Sequence, residues 1–248
     1  GYEPVVMGTT MFVASSRNDR ITALDTATGA ERWRFYAEGP LRLAPVAWQG
    51  KVYCASDDGF LYCLDATTGN LMWKHRAAPS RRRVMGNGRL ISVWPVRGGP
   101  VIAGGKVFFA AGVWPFEGIF IWALDAESGE PIWVNDRCGS LYIEHPHGAM
   151  AFGGPAPQGY LLVRGAELVA PSSRAFPAYF DLETGKLLHF DFGHGGHGSR
   201  PGSWFVVANA KGEMLVDPEL NTGIHDAGRQ VIGQSGVRPK PEEVFPET

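Results

Sequence analysis

The sequence predicts an all-β fold, a β-propeller of four-stranded antiparallel blades, with about four blades plus a partial fifth in an incomplete ring. One pattern recurs along the chain: a small residue, x-Asp-x-x-Thr/Ser-Gly, and then Trp. A sequence pattern that recurs every few tens of residues indicates the architecture of the whole chain more reliably than local strand and turn signals do. Each copy reads as four short strands joined by tight turns, and so small a sheet buries its faces only by stacking radially on others. No segment has helical apolar spacing long enough to predict a helix.

The copies share their turn chemistry as well as their spacing. A β-rich strand ends at each motif Asp, whose carboxylate can bond the backbone ahead of it, and the motif Gly can adopt a positive φ without steric cost. A second strand then carries the Trp. The fourth copy has His189 at that position. The structural docking residues predicted from this pattern are Asp25, Gly29 and Trp33; Asp65, Gly69 and Trp73; Asp125, Gly129 and Trp133; and Asp181 and Gly185.

We expect one partial propeller domain that covers residues 1–248. A clear upstream strand pair in the second copy, at 44–48 and 51–55, with a hairpin signal at 57–59, fixes the length of one blade. On that template the blades lie near 4–36, 42–76, 98–136 and 155–190, a degenerate repeat covers 200–224, and a Pro- and Glu-rich tail covers 239–248.

The repeat resembles the pyrroloquinoline-quinone (PQQ) repeat of quinoprotein dehydrogenases and BamB-like scaffold proteins, whose tryptophan-docking motif has the same pattern. The resemblance implies that Trp33, Trp73 and Trp133 pack between neighbouring blades. It also implies a ring of six to eight blades, so the partner expected first is the set of remaining blades, from the same polypeptide or from another chain. Because one fold of this kind hosts many activities, the resemblance predicts the fold far better than the function.

Composition excludes several classes of partner. The formal net charge of −2 over 248 residues gives no reason to expect nucleic acid binding, and no apolar stretch is long enough to span a membrane. The three cysteines are isolated, and two fall in packing columns of the repeat, so buried free thiols are expected. The resemblance would imply an adjacent Cys pair in a quinone-binding dehydrogenase, and the sequence has none. It also has no C-x-x-C-H haem motif.

Departures from the repeat indicate where function lies. The motif Asp residues are separated by 40, 60 and 56 residues (25 to 65, 65 to 125, 125 to 181). The extra residues fall between the second and third blades, in the middle hairpin of the third blade, and before the fourth. In a four-stranded meander those connections emerge on one face, and long loops on a rigid scaffold commonly carry binding groups.

The insertions supply the candidate ligand-binding residues. Guanidinium groups pair with carboxylates, and indole rings stack on flat ligands, so the combination suits a small anionic or aromatic molecule. PQQ with Ca²⁺ would fit that profile, although no calcium set can be assigned from the sequence. Structural alternatives stay open, because Arg81–Arg83 can be solvated and Trp94 and Trp114 can plug the insertions onto their blades. The candidates are Arg82, Arg97, Trp114, Glu117, His145 and His147.

Metal and catalytic signals are weak. His194 and His197 form an H-x-x-H pair flanked by glycines, which is the candidate metal site, and a flexible loop is its structural alternative. No nucleophile elbow, P-loop or H-E-x-x-H motif occurs.

Three functions follow from these observations. The first is a non-catalytic scaffold or binding module of an exported, periplasmic or secreted bacterial protein, which presents its loop-rich face to a ligand or protein partner. The second is part of a PQQ-dependent quinoprotein oxidoreductase, and the third is a glycan-binding propeller that uses its indoles as platforms. The sequence favours the first. If the chain belongs to an enzyme, a quinoprotein dehydrogenase is expected.

Overall fold

The computed structural model describes residues 3–86, 88–145, 148–173, 175–192, 206–208, 214–216 and 231–232. Four sets of four consecutive antiparallel strands form the blades, each in chain order, and the sheet of the third blade has a fifth strand. The first blade is β1 (Val5–Met7), β2 (Thr10–Ser15), β3 (Arg20–Asp25) and β4 (Glu31–Tyr36). The second is β5 (Val46–Trp48), β6 (Lys51–Ala55), β7 (Phe60–Asp65) and β8 (Leu71–Arg76).

The third blade follows a separate hairpin of β9 (Arg83–Gly86) and β10 (Arg89–Ser92). Its strands are β11 (Val96–Ala103), β12 (Lys106–Ala111), β13 (Phe120–Asp125) and β14 (Pro131–Asn135), with a 3₁₀ turn at Pro115–Glu117. A second hairpin, β15 (Leu141–Glu144) and β16 (Met150–Gly153), precedes β17 (Gly159–Tyr160). The fourth blade is β18 (Leu162–Arg164), β19 (Glu167–Ser172), β20 (Ala175–Asp181) and β21 (Leu187–His189).

Three further strands form a sheet of their own: β22 (Val206–Ala208), β23 (Met214–Val216) and β24 (Val231–Ile232). The last of them lies beyond the degenerate repeat predicted at 200–224. A second difference concerns residues 159–160, which were predicted at the start of the fourth blade. They pair in parallel with Gly98 and Gly99 of β11 and so extend the third sheet.

The motif turns have the geometry that the sequence predicts. Asp25 Oδ1 accepts hydrogen bonds from the Ala27 and Thr28 amides at 3.0 and 2.8 Å and from the Thr28 hydroxyl at 2.9 Å. Gly29 has a φ of 71° and donates its amide to the Asp25 carbonyl. The Arg32 guanidinium, which pairs with Asp25 Oδ2, and these hydrogen bonds lower the pKa of Asp25. The same carboxylate bonds recur in the other three copies.

Each motif Trp contacts the motif turn of the next blade. Trp33 Nε1 donates to the Ala66 carbonyl at 2.9 Å, and a Cβ added to Gly69 would lie 2.6 Å from the Trp33 ring. Trp73 repeats the contact with Gly129 and the Glu127 carbonyl, and Trp133 repeats it with Gly185 and the Leu182 carbonyl. Glycine at these positions therefore provides the turn conformation and also the space for the indole.

An aromatic residue on the second strand of each of the first three blades packs against the motif Trp. The ring centroids are 5.7 Å apart for Phe12–Trp33, 5.8 Å for Tyr53–Trp73 and 5.8 Å for Phe108–Trp133. The small residue of the motif lies between them in the strand register, which explains that column. In the fourth blade the same three register positions hold Val169, Tyr179 and His189, so the aromatic residue, the small residue and the Trp are all replaced. The ring centroids of Tyr179 and His189 are 6.0 Å apart.

Buried positions hold the cysteines. Cys54, Cys63 and Cys138 are free and buried, and burial raises the pKa of Cys63 and of Cys138 to about 12. In the described part of the chain no helix has the length and apolar character needed to cross a membrane.

Candidate functional site

The inserted segments lie on one face, which we call the loop-rich face. It consists of the β2–β3 and β6–β7 turns, the loop between β12 and β13, and the connections between blades. The β9–β10 hairpin contacts the first and third blades there. Arg89 pairs with Asp19 beside the first blade's turn, Arg83 pairs with Glu38 at 3.0 Å, and Arg82 pairs with Glu117.

Arg82, Glu117 and Trp94 form one cluster on this face. The Arg82 guanidinium lies 5.3 Å from the Trp94 ring centroid while it pairs with Glu117. Trp94 is buried and donates its indole N–H to the Glu117 carbonyl at 2.6 Å, so it fixes the 3₁₀ turn against the hairpin. Both charges are thus already paired, and the geometry favours the structural alternative for Arg82 and Trp94.

Trp114 begins the same 3₁₀ turn as Glu117, whose amide donates to the Trp114 carbonyl at 3.0 Å. The Trp114 ring is 47% exposed beside Phe116, at a centroid distance of 6.5 Å. The His145 ring stacks on Phe192 at 4.4 Å, and its buried Nε2 has no hydrogen-bond partner in the described part of the chain. His147, His194 and His197 lie outside the described residues. Among the candidates that the structure describes, Arg82, Trp114 and Glu117 thus lie together, and Arg97 and His145 lie apart from them.

Arg97 belongs to a second cluster, which we call the Asp57 centre. The Asp57 side chain is only 1% exposed, on the β6–β7 turn. Arg97 Nε and Nη2 each donate to it at 3.0 Å, and Arg42 Nε donates at 2.5 Å. Two guanidiniums on one carboxylate leave a formal charge of +1.

The Asp57 centre keeps unused hydrogen-bond donors. Arg42 bonds through Nε alone, and Arg97 uses Nε and one hydrogen of Nη2, so several guanidinium N–H groups have no partner in the described part of the chain. Both side chains reach solvent, at 30% exposed for Arg42 and 17% for Arg97. Free N–H groups in a forked arrangement are what carboxylates and phosphates bind.

Three chain segments converge beside this centre. Arg42 lies on the connection between the first two blades, Arg97 lies on β11, and Tyr160 lies on β17. The Tyr160 hydroxyl accepts a hydrogen bond from the Ala44 amide at 3.0 Å. Gly99 allows the approach, since a Cβ there would lie 3.1 Å from Leu43 and 3.2 Å from Tyr160.

Asp58 shows how strongly this turn is buried. Its carboxylate accepts from the Tyr62 hydroxyl at 2.7 Å and from the Glu38 and Phe60 amides. Burial nevertheless raises the pKa of Asp58. Asp58 thus has three donors of its own, and both guanidiniums pair with Asp57. Sequence reasoning interpreted residues 57–59 only as a hairpin signal and so missed the centre.

No group of three or more His, Cys, Asp or Glu side chains suited to a metal occurs in the described part of the chain. These residues supply donors for an anion but no carboxylate cage for Ca²⁺.

Comparison with known proteins agrees with the blade geometry. A family model described as outer membrane protein assembly factor BamB matches residues 1–106. Solved structures with the same fold include quinohemoprotein alcohol dehydrogenase from Comamonas testosteroni (TM-score 0.63, 20% identity, 88% of this chain and 40% of that one). BamB from Moraxella catarrhalis also matches (TM-score 0.55, 20% identity, 86% of this chain and 59% of that one).

The chain is a β-propeller whose repeat is similar to the PQQ repeat. Among curated relatives, the dehydrogenase subunit of the quinone alcohol dehydrogenase of Gluconobacter oxydans (strain 621H) is 33% identical over 142 residues, which cover 52% of this chain and 18% of that protein. Its Komagataeibacter europaeus counterpart is 32% identical over 142 residues, again 18% of the relative. The matched part of the chain therefore spans about a fifth of the length of those relatives.

Proposed function

We propose that this PQQ-type propeller is a non-catalytic binding module of an exported, periplasmic or secreted bacterial protein, and that its loop-rich face binds a small anionic ligand at the Asp57 centre. One observation carries the proposal: Arg42 and Arg97 share one buried carboxylate and keep N–H donors that reach solvent. A carboxylate ligand would accept hydrogen bonds from those N–H groups and would neutralise the formal charge of +1 on the two guanidiniums and Asp57.

The contacts between blades support a partner that completes the ring of the propeller. The Gly69, Gly129 and Gly185 turns each contact an indole of the preceding blade, whereas a Cβ at Gly29 would meet no atom of the described residues within 4 Å. The first blade thus has the turn of a docking surface without its indole. We propose that further blades, from the same polypeptide or another chain, cover it.

Titration calorimetry with PQQ, a tricarboxylate, tests the anion site. We expect saturable binding that Arg97→Gln and Arg42→Gln each weaken at least tenfold. Arg34→Gln is the matched control, because Arg34 pairs with Glu31 on the outer strand of the first blade. Circular dichroism must show that each variant remains folded. Absence of heat, or equal binding by all variants, would contradict the anion site and leave a scaffold for protein partners.

A second candidate is part of a PQQ-dependent oxidoreductase, since quinone alcohol dehydrogenases align with half of the chain. When bound, the quinone would supply the redox chemistry, and the Arg42 and Arg97 guanidiniums would hold its carboxylates. The described residues supply no calcium cage, so no catalytic step is assigned to them. Reduction of an artificial acceptor by an alcohol, with PQQ and Ca²⁺ added, separates this candidate from a binding module. Turnover that Arg97→Gln abolishes would favour the enzyme.

A further inference from the structure

The β15–β16 hairpin has one face packed on the propeller and one face in solvent. Its register pairs Tyr142 with Phe152 and Glu144 with Met150, and these four side chains share the exposed face. An antiparallel hairpin packed on one side ordinarily carries polar residues on the other. Here three of the four are large and apolar. Tyr142 is 59% exposed, Met150 51% and Phe152 74%.

The neighbouring 3₁₀ turn enlarges this apolar surface. The turn lies against β16 and carries Phe116, which is 82% exposed, beside the half-exposed Trp114. We call Trp114, Phe116, Tyr142, Met150 and Phe152 the aromatic patch. Given the area of such side chains, it leaves on the order of 500 Å² of mostly apolar surface in water. Patches of that size commonly mark an interaction surface.

Charges at the edge of the patch indicate what covers it. Glu144 lies on the patch face at the end of β15, and exposed Arg137 lies shortly before that strand. Neither side chain has an ion pair or hydrogen bond in the part of the chain that the structure describes, whereas Glu117 nearby is paired with Arg82. Glu144 thus offers an unpaired carboxylate at the end of β15, and Arg137, next to the exposed Asp136, offers an unpaired guanidinium before the start of that strand.

A twofold interface requires a surface that is complementary to itself. Apolar rings at the centre meet this requirement, and so do a carboxylate at the end of β15 and a guanidinium before its start. An anionic lipid surface would instead require an excess of cations, which the patch lacks. We propose that the aromatic patch binds the same patch on a second copy of this chain, with Glu144 of each copy beside Arg137 of the other.

Sedimentation velocity of the whole chain from 1 to 100 µM tests this proposal, over a range suited to weak interfaces. We expect a concentration-dependent shift from monomer to dimer. Phe116→Ser with Phe152→Ser should raise the dissociation constant at least tenfold. Met72→Ser is the matched control, since Met72 is 47% exposed on the outer strand of the second blade and should leave dimerisation unchanged. A monomer at every concentration, or a dimer that the patch variant does not weaken, would overturn the proposal.

Charge reversal tests the arrangement. Glu144→Arg and Arg137→Glu should each weaken the dimer by placing like charges together, and the double variant should restore it. Failure of the double variant to recover affinity would refute the twofold pairing even if a dimer forms. The surface shares no residue with the Asp57 centre, so quinone titration and sedimentation can succeed or fail separately.

Discussion

The glycine of each motif turn provides a sharp test of how the blades are joined. Gly69 has a φ of 75°, and a Cβ there would lie 2.6 Å from the Trp33 ring. Gly50, in the same blade, has a φ of 76°, and a Cβ there would meet nothing within 4 Å. Substitution by alanine therefore imposes the same backbone strain at both positions but a steric clash only at Gly69.

The expected magnitudes follow from these contacts. Left-handed backbone costs a non-glycine residue about 1 to 2 kcal/mol. Forcing a methyl group against a packed ring adds about 1 to 3 kcal/mol. Gly50→Ala and Gly29→Ala should thus lower the free energy of unfolding by about 1 to 2 kcal/mol, and Gly69→Ala by about 2 to 5 kcal/mol.

Urea titration followed by tryptophan fluorescence measures the difference, provided that the m-value is unchanged among the variants. A double-mutant cycle isolates the contact: in a Trp33→Ala background, Gly69→Ala should cost only the backbone strain. The reasoning is refuted if Gly69→Ala and Gly50→Ala agree within about 0.5 kcal/mol, the usual spread of neutral surface changes. Equal costs of Gly69→Ala with and without Trp33 would refute it as well.

Four further outcomes are expected. Trp33→Ala should lower the free energy of unfolding by about 3 to 5 kcal/mol, and Trp73→Ala by somewhat less because its ring is more exposed. A loss below about 1 kcal/mol for Trp73→Ala in urea titration would refute its interblade role. Asp57→Ala should cost about 3 kcal/mol in the same assay, near the low end for a broken buried pair because both guanidiniums reach solvent. Burial lowers the pKa of His75, so its contribution to stability is present above about pH 6.5 and lost at lower pH; His75→Phe should flatten the melting temperature between pH 7.5 and 5.5, and an unchanged slope would contradict this. The Cys63 thiol, whose pKa is raised to about 12, should react with a disulfide reagent only on unfolding, and fast labelling of the native protein would contradict its burial.

The repeat made the fold predictable from sequence. Asp25 and its counterparts predict the turn because an Asp carboxylate bonds the backbone ahead of it. The positive φ at the end of each turn favours glycine, which the motif has there. The aromatic partners of the indoles could also have been found, because Phe12, Tyr53 and Phe108 occupy one column when the copies are aligned. The exchange in the fourth blade was harder to foresee. Tyr179 stands where the motif has a small residue, and His189 stands where it has Trp. Only the contact between the two rings shows that the larger residue offsets the smaller one.

The pairing inside the inserted segments was not predictable. Hydrophobic periodicity signals a half-buried strand by alternating apolar and polar residues, but β15 and β16 carry Tyr142, Met150 and Phe152 on their exposed face. Parallel pairing of β17 with β11 joins residues about 60 positions apart without any crossover signature, so residues 159–160 were assigned to the wrong sheet. Arg82 was chosen for its charge, but charge alone did not reveal that Glu117 would neutralise it.

The Asp57 centre escaped prediction for a reason that bears on its role. Asp57, Asp58 and Gly59 have the composition of an ordinary hairpin turn, and turns of that kind are normally exposed. Here the connection before the second blade and the start of β11 fold over the turn. They bring in Arg42 and Arg97 from positions 15 residues before and 40 residues after Asp57. Both guanidiniums bond Asp57, while other donors bond the neighbouring buried Asp58. The guanidinium N–H groups that reach solvent take no part in these bonds, and they favour an anion over a purely structural ion pair.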